Sequence, residues 1–144
     1  MARFTLVYAA LLAARRDPRQ AAAKLEMLRS DRAAIAAAMP REWPDDHDSA
    51  PWLDRAVAQG EAIVTLAQGR TADGVKLRRA AEAEAALPPP FGPPVLQKPS
   101  YELLGDELLA MGQKQEAAEA YKRALAAAPN RRLSVLGLRA STGR

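Results

Sequence analysis

The stretch KPSYELLGDELLAMGQKQEAAEAYKRALAAAP, residues 98–129, decides the fold of this chain. Apolar and small residues recur at helical spacing on both sides of Gly112, which is typical of two amphipathic helices joined by a tight turn. Pro99 opens the first helix, and Pro129 stands just past the end of the second. The stretch therefore predicts an antiparallel helical hairpin, with one helix ending at Gly112 and the other covering 114–127.

Eight positions of this hairpin share the spacing of a known repeat. They are an aromatic residue, a Leu-Gly pair, an aliphatic residue, a small residue, a second aromatic, a second small residue and a proline: Tyr101, Leu104, Gly105, Leu108, Ala117, Tyr121, Ala124 and Pro129. The stretch 98–131 resembles a tetratricopeptide repeat (TPR), with small residues where its two helices touch. The resemblance implies a helical repeat protein that binds protein partners and performs no catalysis.

Weaker copies of the same spacing precede this hairpin. Residues 51–87 carry small residues at the corresponding distances after Gly69, but Arg78 stands where the second aromatic is expected. Residues 1–39 carry a similar pattern after Arg16, with a longer second helix. We predict a degenerate hairpin in each segment, with helices at 3–15, 18–39, 51–68 and 72–86.

Polar and proline-rich segments separate these hairpins. Asp17 is the expected N-cap of the second helix. Residues 40–50 are predicted to form a polar loop, and residues 88–97 a stiff proline-rich connector. Asn130 is expected to cap a last helix, which with its tail occupies 132–144. The predicted fold is a single all-α domain spanning all 144 residues: three antiparallel hairpins in a TPR-like superhelical stack, plus a C-terminal capping helix.

The composition excludes several classes of protein. The chain has no cysteine, which rules out a disulfide framework and a thiolate metal site and fits a reducing compartment such as the cytoplasm. No apolar run approaches the ~20 residues of a membrane span. The apolar start, MARFTLVYAALLAARRD, is interpreted as an amphipathic helix, with a weak signal peptide as the alternative. Because the first hairpin begins without a polar capping helix, a longer parent protein is also expected.

Residues that could carry chemistry are few. The chain has no Gly-rich phosphate loop, no nucleophile elbow and no His-Glu-x-x-His pair. Its one histidine, His47, lies among aspartates that could bind a divalent cation weakly, although such aspartates also favour solvated turns. We therefore predict no catalytic, cofactor-binding or metal-binding residue, and an enzyme or metal protein using His47 is the rival hypothesis.

The resemblance also implies a concave groove lined by the first helix of each hairpin. The ligand-contacting positions, carried onto this sequence, give an apolar strip with an acidic end: Leu6, Gln59, Ile63, Leu66, Glu102, Asp106 and Leu109. We expect such a groove to bind an apolar or amphipathic protein segment that carries Lys or Arg. The alternative is that the apolar side chains pack against the long second helix or the proline-rich connector, so that no groove is open.

Two other surfaces offer alternative partners. Three leucines of the last helix either form its buried lid contact or pair with a second copy of the chain: Leu133, Leu136 and Leu138. Arginine-bearing helix faces could contact RNA or DNA: Arg15, Arg16, Arg19, Arg78, Arg79, Arg131 and Arg132. With a net charge of only +4, dispersed along the chain, solvated helix faces are favoured over nucleic acid. The predicted function is a non-catalytic, cytoplasmic protein–protein interaction scaffold.

Overall fold

Seven α-helices account for most of the chain that the structure describes. The computed structural model describes residues 2–38, 50–70, 74–87 and 97–143. The helices are α1 (Ala2–Ala13), α2 (Pro18–Ala38), α3 (Ala50–Ala67), α4 (Gly74–Ala85), α5 (Ser100–Ala110), α6 (Lys114–Ala127) and α7 (Arg132–Thr142). No strand occurs in these ranges. The predicted all-α fold is confirmed, and each helix lies within about two residues of its expected ends.

Some predictions concern residues outside the described ranges. These are the acidic loop with His47 and the proline-rich connector up to position 96. The described helices form two compact units where one domain was predicted. Unit 1 comprises Met1–Gln97 and unit 2 comprises Lys98–Arg144.

Unit 1 is built from consecutive helices that each pack on the next. α1 packs on α2, α2 on α3 and α3 on α4, and α1 also contacts α3. The apolar residues of each helix recur at three- and four-residue spacing, which places them on one face. They form a core that contains Phe4, Tyr8, Leu11, Leu25, Leu28, Leu53, Ile63 and Leu77. Unit 1 is therefore held together mainly by aliphatic and alanine contacts.

Two positions in unit 1 test the sequence reasoning in detail. The Asp17 carboxylate accepts hydrogen bonds from the backbone N–H groups of Arg19 and Gln20, each at 3.0 Å. The predicted N-cap is thus confirmed, and the bond from the Gln20 backbone is the main cause that lowers the pKa of Asp17. On α4, Leu77 is fully buried and Arg78 is exposed. At the position of the second aromatic, unit 1 therefore carries an exposed arginine, and the buried side chain is that of the residue before it.

Unit 2 is a triangle of helices in which α5, α6 and α7 all touch one another. Its core contains Leu103, Leu104, Leu108, Ala117, Ala120, Tyr121 and Ala124. The positions that resemble the TPR pattern pack together as a helical hairpin, apart from the half-buried Tyr101 and the exposed Pro129. Alanines at the crossing let α5 and α6 approach closely.

Left-handed backbone conformations follow all three helices of unit 2, and at the end of α7 the residue is Gly143. Gly112 has a φ of +79° and follows α5, a conformation that glycine adopts at little cost. Asn130 has a φ of +68°, which asparagine tolerates better than most residues. The N-cap of α7 is Arg131, and it makes no side-chain cap hydrogen bond. The prediction that Asn130 caps this helix is therefore wrong, because its backbone forms the turn before the cap.

Candidate functional site

Six polar side chains form a connected group where α7 meets α5 and α6. We call this group the anchor cluster: Lys98, Glu102, Asp106, Tyr121, Arg131 and Ser134. Its centre is Glu102, whose side chain is 0% exposed. Lys98, Glu102 and Asp106 follow one another at intervals of four residues, which places them on one side of α5 and of the residues just before it. A fully buried carboxylate needs partners on every side, and the surrounding residues supply them.

The partners of Glu102 bind both of its carboxylate oxygens. Arg131 donates from Nε to Oε2 at 2.7 Å and from Nη2 to Oε1 at 3.1 Å, a two-pronged contact. Ser134 donates its hydroxyl to Oε2 at 2.6 Å. The Lys98 ammonium lies 3.2 Å from Oε1. Because Arg131 and Ser134 belong to the start of α7, these contacts tie α7 to α5.

A second set of contacts extends the anchor cluster to α6. The Lys98 ammonium also lies 2.8 Å from Asp106 Oδ2. The hydroxyl of Tyr121, on α6, donates a hydrogen bond of 2.8 Å to Asp106 Oδ1. Burial, and secondly the bond to Asp106, raise the pKa of Tyr121. The phenol therefore stays protonated and remains a hydrogen-bond donor.

The anchor cluster is electrically balanced. Burial alone raises the pKa of Glu102, but hydrogen bonds from Arg131 and Ser134 and the charge of Lys98 outweigh burial, and the pKa is lowered. The hydrogen bond to Glu102 likewise raises the pKa of Arg131. Two cations, Lys98 and Arg131, thus face two anions, Glu102 and Asp106. Such a fully paired group fixes helix positions and leaves no net charge to attract a ligand.

The face of α7 that packs inward is made of small residues. Ser134 and Ser141 are buried, and Gly137 lies between them on the same side of the helix. A Cβ on Gly137 would overlap the ring of Tyr121. Of the larger apolar residues of α7, Leu133 and Leu136 are exposed, whereas Val135 and Leu138 are half-buried. We call the exposed surface the outer face: Arg132, Leu133, Leu136, Arg139 and Ala140.

In the described part of unit 2, the exposed large hydrophobic side chains both lie on the outer face. Leu133 is 55% exposed and Leu136 is 48% exposed. Arg132 and Arg139 border Leu136 at one helical turn in each direction, and α7 contains no acidic residue. Of the two interpretations of these leucines, the buried lid is wrong for Leu133 and Leu136, whereas Leu138 is half-buried. The helix does cover α5 and α6, but through serine and glycine.

The groove residues predicted in unit 1 do not share a surface. Gln59 is 0% exposed and Ile63 is 1% exposed, and the buried Tyr8 hydroxyl donates a hydrogen bond to Gln59 Oε1. Leu66 is half-buried, while Leu6 is 71% exposed on α1. The expectation of an open strip is therefore wrong for Gln59 and Ile63, because α1 packs over this part of α3.

The acidic end predicted for the groove lies inside unit 2. Glu102 is fully buried, Asp106 is bound by Lys98 and Tyr121, and Leu109 is half-buried. The inference that a partner must carry Lys or Arg loses its basis, because these carboxylates already have internal cations. The residues that sequence reasoning missed are Lys98, Ser134 and Gly137. The spacing of Ser134, Gly137 and Ser141 was the signal that could have revealed the inner side of α7.

A groove of about 510 Å³ lies between α2, α3 and α4 in unit 1. Its rim carries an ion triad, in which Arg29 Nη1 lies 2.6 Å from Glu26 Oε1 and Arg29 Nη2 lies 2.7 Å from Glu61 Oε1. The contact with Glu61 is the main cause that raises the pKa of Arg29. The triad pairs these charges with one another across the rim, so the groove is a weaker candidate for binding than the outer face of α7.

Comparison of the chain with protein-family models, with curated proteins and with solved structures finds no match. The resemblance of 98–131 to a tetratricopeptide repeat therefore stays a prediction. None of the helices in the described ranges is long and apolar enough to cross a membrane. Within these ranges no three His, Cys, Asp or Glu residues are grouped as a metal site requires, and His47 lies outside them.

Proposed function

We propose that this chain is a non-catalytic protein–protein interaction scaffold and that the outer face of α7 is its docking surface. The observation that carries the proposal is the orientation of α7. Its serines and glycine face inward, whereas Leu133 and Leu136 face solvent. A helix held only by hydrophobic burial would have the opposite arrangement. The exposed leucines therefore serve contacts beyond unit 2.

The anchor cluster supports this proposal because it holds the docking surface in place. Arg131 and Ser134 fix the first turn of α7 to the buried Glu102, so the leucines are presented on a helix that is already ordered. A preformed surface loses less conformational entropy on binding than a flexible one. Covering the exposed half of each leucine would contribute about 1 kcal/mol per residue.

The alternatives receive less support from the geometry. Arg131, one of the arginines considered for nucleic-acid contact, is already paired with Glu102. The buried charged residues of unit 2 hold helices together, which supports a structural rather than a catalytic use of them. A cytoplasmic location, suggested by the lack of cysteine, is part of the proposal.

The test is site-specific photo-crosslinking of the full chain in the cells that produce it. A benzophenone amino acid would replace Leu133 or Leu136, and the control would carry it at Val75, which matches Leu133 at 55% exposed. We expect a discrete protein adduct from the α7 positions and none from Val75. Light scattering coupled to size-exclusion chromatography then shows whether a second copy accounts for the adduct. No adduct at α7, or the same adducts from Val75, would refute the proposal.

A further inference from the structure

We infer that the outer face of α7 binds an amphipathic helix of a different protein, in which acidic residues flank the apolar stripe. This inference rests on the proposed function and specifies the partner. It follows from three observations: the way unit 1 covers its own third helix, the charges that border Leu136, and the symmetry that a second copy would impose.

The first observation is that the two units repeat one packing pattern. In unit 1 the helices α1, α2 and α3 all touch, as α5, α6 and α7 do in unit 2. In each case a glycine of the third helix faces a core side chain of the second: Gly60 faces Leu25, and Gly137 faces Tyr121. α7 therefore corresponds to α3 in position.

The difference between the units lies in what covers this third helix. In unit 1, α4 packs on α3 through Leu77, Ala80 and Ala81. Along α3, from 50 to 67, Asp54 is the one exposed residue. On α7 the exposed residues instead include two leucines and two arginines. A helix with the apolar stripe of α4 would fit the outer face in the same manner, which indicates a helical partner.

The second observation is the charge around the leucines. Arg132 and Arg139 lie one turn before and one turn after Leu136, and both are exposed. Arg131 next to them is already neutralised by Glu102. The outer face is therefore apolar with a cationic border, and a partner with carboxylates beside its apolar stripe is complementary to it.

The third observation argues against a second copy. A twofold pairing of α7 with itself in antiparallel orientation would place Arg132 of one copy near Arg139 of the other. Because α7 carries no acidic residue, nothing on the helix offsets this repulsion. An anionic membrane surface also matches cationic and apolar residues, but only two large apolar side chains project from this helix, too few for firm insertion.

The experiment uses two fluorescein-labelled peptides of about 18 residues, long enough to form a helix. They share one leucine stripe at helical spacing, flanked by Glu in one peptide and by Lys in the other. Binding to the full chain is followed by fluorescence anisotropy at low and high salt. We expect the Glu peptide to bind about tenfold more tightly or better, and the preference to shrink at high salt.

Matched variants locate the binding and test the charge argument. The double variant Arg132→Glu with Arg139→Glu should reverse the preference between the peptides. Leu133→Ala with Leu136→Ala should weaken binding of the Glu peptide about tenfold, whereas Val75→Ala should leave it unchanged. Circular dichroism shows whether each variant remains helical. The anisotropy of the folded wild type at two salt concentrations tests the charge preference without any variant.

Each outcome decides between distinct conclusions. Reversal by the charge variant supports the inference. Equal binding of both peptides, lost in the leucine variant, overturns the acidic partner while leaving the outer face as a docking surface. The same chain is also tested for binding to phosphatidylserine vesicles. If it binds the vesicles and neither peptide, and the leucine variant loses this binding, the inference is overturned in favour of a lipid surface. If neither peptide binds, the inference is wrong, and the crosslinking at Leu136 decides separately whether the scaffold function also fails.

Discussion

Replacing Gly137 with alanine should loosen α7 even though alanine is the better helix former. The gain in helix propensity is about 1 kcal/mol. The added methyl group, however, would overlap the Cζ, Cε1 and Cε2 atoms of Tyr121. That ring is 1% exposed, and from α5 a Cβ on Gly105 would already lie 2.8 Å from Cε1. With so little space for the ring to move, we expect overpacking of ~3 kcal/mol and a net loss of ~2 kcal/mol.

The measurement is urea unfolding of the full chain followed by two signals. Ellipticity reports all helices, whereas unit 2 contains no tryptophan, because Trp43 and Trp52 both precede Lys98. We expect Gly137→Ala to lower the urea midpoint of the ellipticity transition and to leave the midpoint of the tryptophan transition unchanged. The free energy of opening that hydrogen exchange reports for the α7 amides should fall by the same ~2 kcal/mol. The control is Gly74→Ala, where a Cβ would meet no atom within 4 Å and the change should lie between zero and about 1 kcal/mol of stabilisation.

The proposed cause is tested by shortening the side chain that the methyl group meets. In a Tyr121→Leu background the ring is absent, so Gly137→Ala should become neutral or stabilising. The reasoning is refuted if Gly137→Ala is as stable as the wild type while Tyr121 is present. It is equally refuted if the loss of ~2 kcal/mol persists once Tyr121 is replaced.

Three further predictions concern single residues. The pKa of Glu102 is lowered in the folded state, so the stability that its charged form contributes is complete above the ordinary pKa of about 4.3 and is lost as pH falls through the folded pKa. Glu102→Gln should lower the free energy of unfolding by ~2 kcal/mol at pH 7. It should also weaken the loss of stability in acid, as read from urea midpoints measured across pH. Tyr8→Phe removes the hydroxyl donor to buried Gln59 and should lower the free energy of unfolding of unit 1 by ~1–2 kcal/mol, measured by tryptophan fluorescence; an unchanged midpoint contradicts it. Gly112→Ala, at a φ of +79°, should cost ~1–2 kcal/mol in thermal melts, and Gly112→Asn less; equal losses would contradict the left-handed argument.

The helices themselves could be predicted because their signals are local. Apolar spacing, prolines and the cap at Asp17 lie within a few residues of the helix ends that they determine. The anchor cluster could not be found in this way, since Glu102 meets Arg131 and Ser134 from a distant part of the sequence. A buried glutamate and an exposed one look alike in a single sequence, and Glu102 was for that reason assigned to a surface.

Buried Gln59 shows the same limit in unit 1. Its position on α3 follows the apolar spacing, and the opposing hydroxyl of Tyr8 donates a hydrogen bond that helps to make burial of this polar side chain tolerable. The outward direction of Leu136 depends on Gly137 fitting against Tyr121. Hydrophobicity alone predicts that leucine is buried, and the close contact made by glycine overrides it.

The anchor cluster also sets the rotation of α7 about its own axis. Gly137 fits against Tyr121 near the middle of α7. The two-pronged contact between Arg131 and Glu102 adds a second fixed point at the first turn, and two fixed points along one helix determine its rotation. A substitution at Glu102 would therefore loosen the position of α7 without changing any residue of the outer face. Binding preference in this chain can thus change during evolution through an interior position that no partner ever touches.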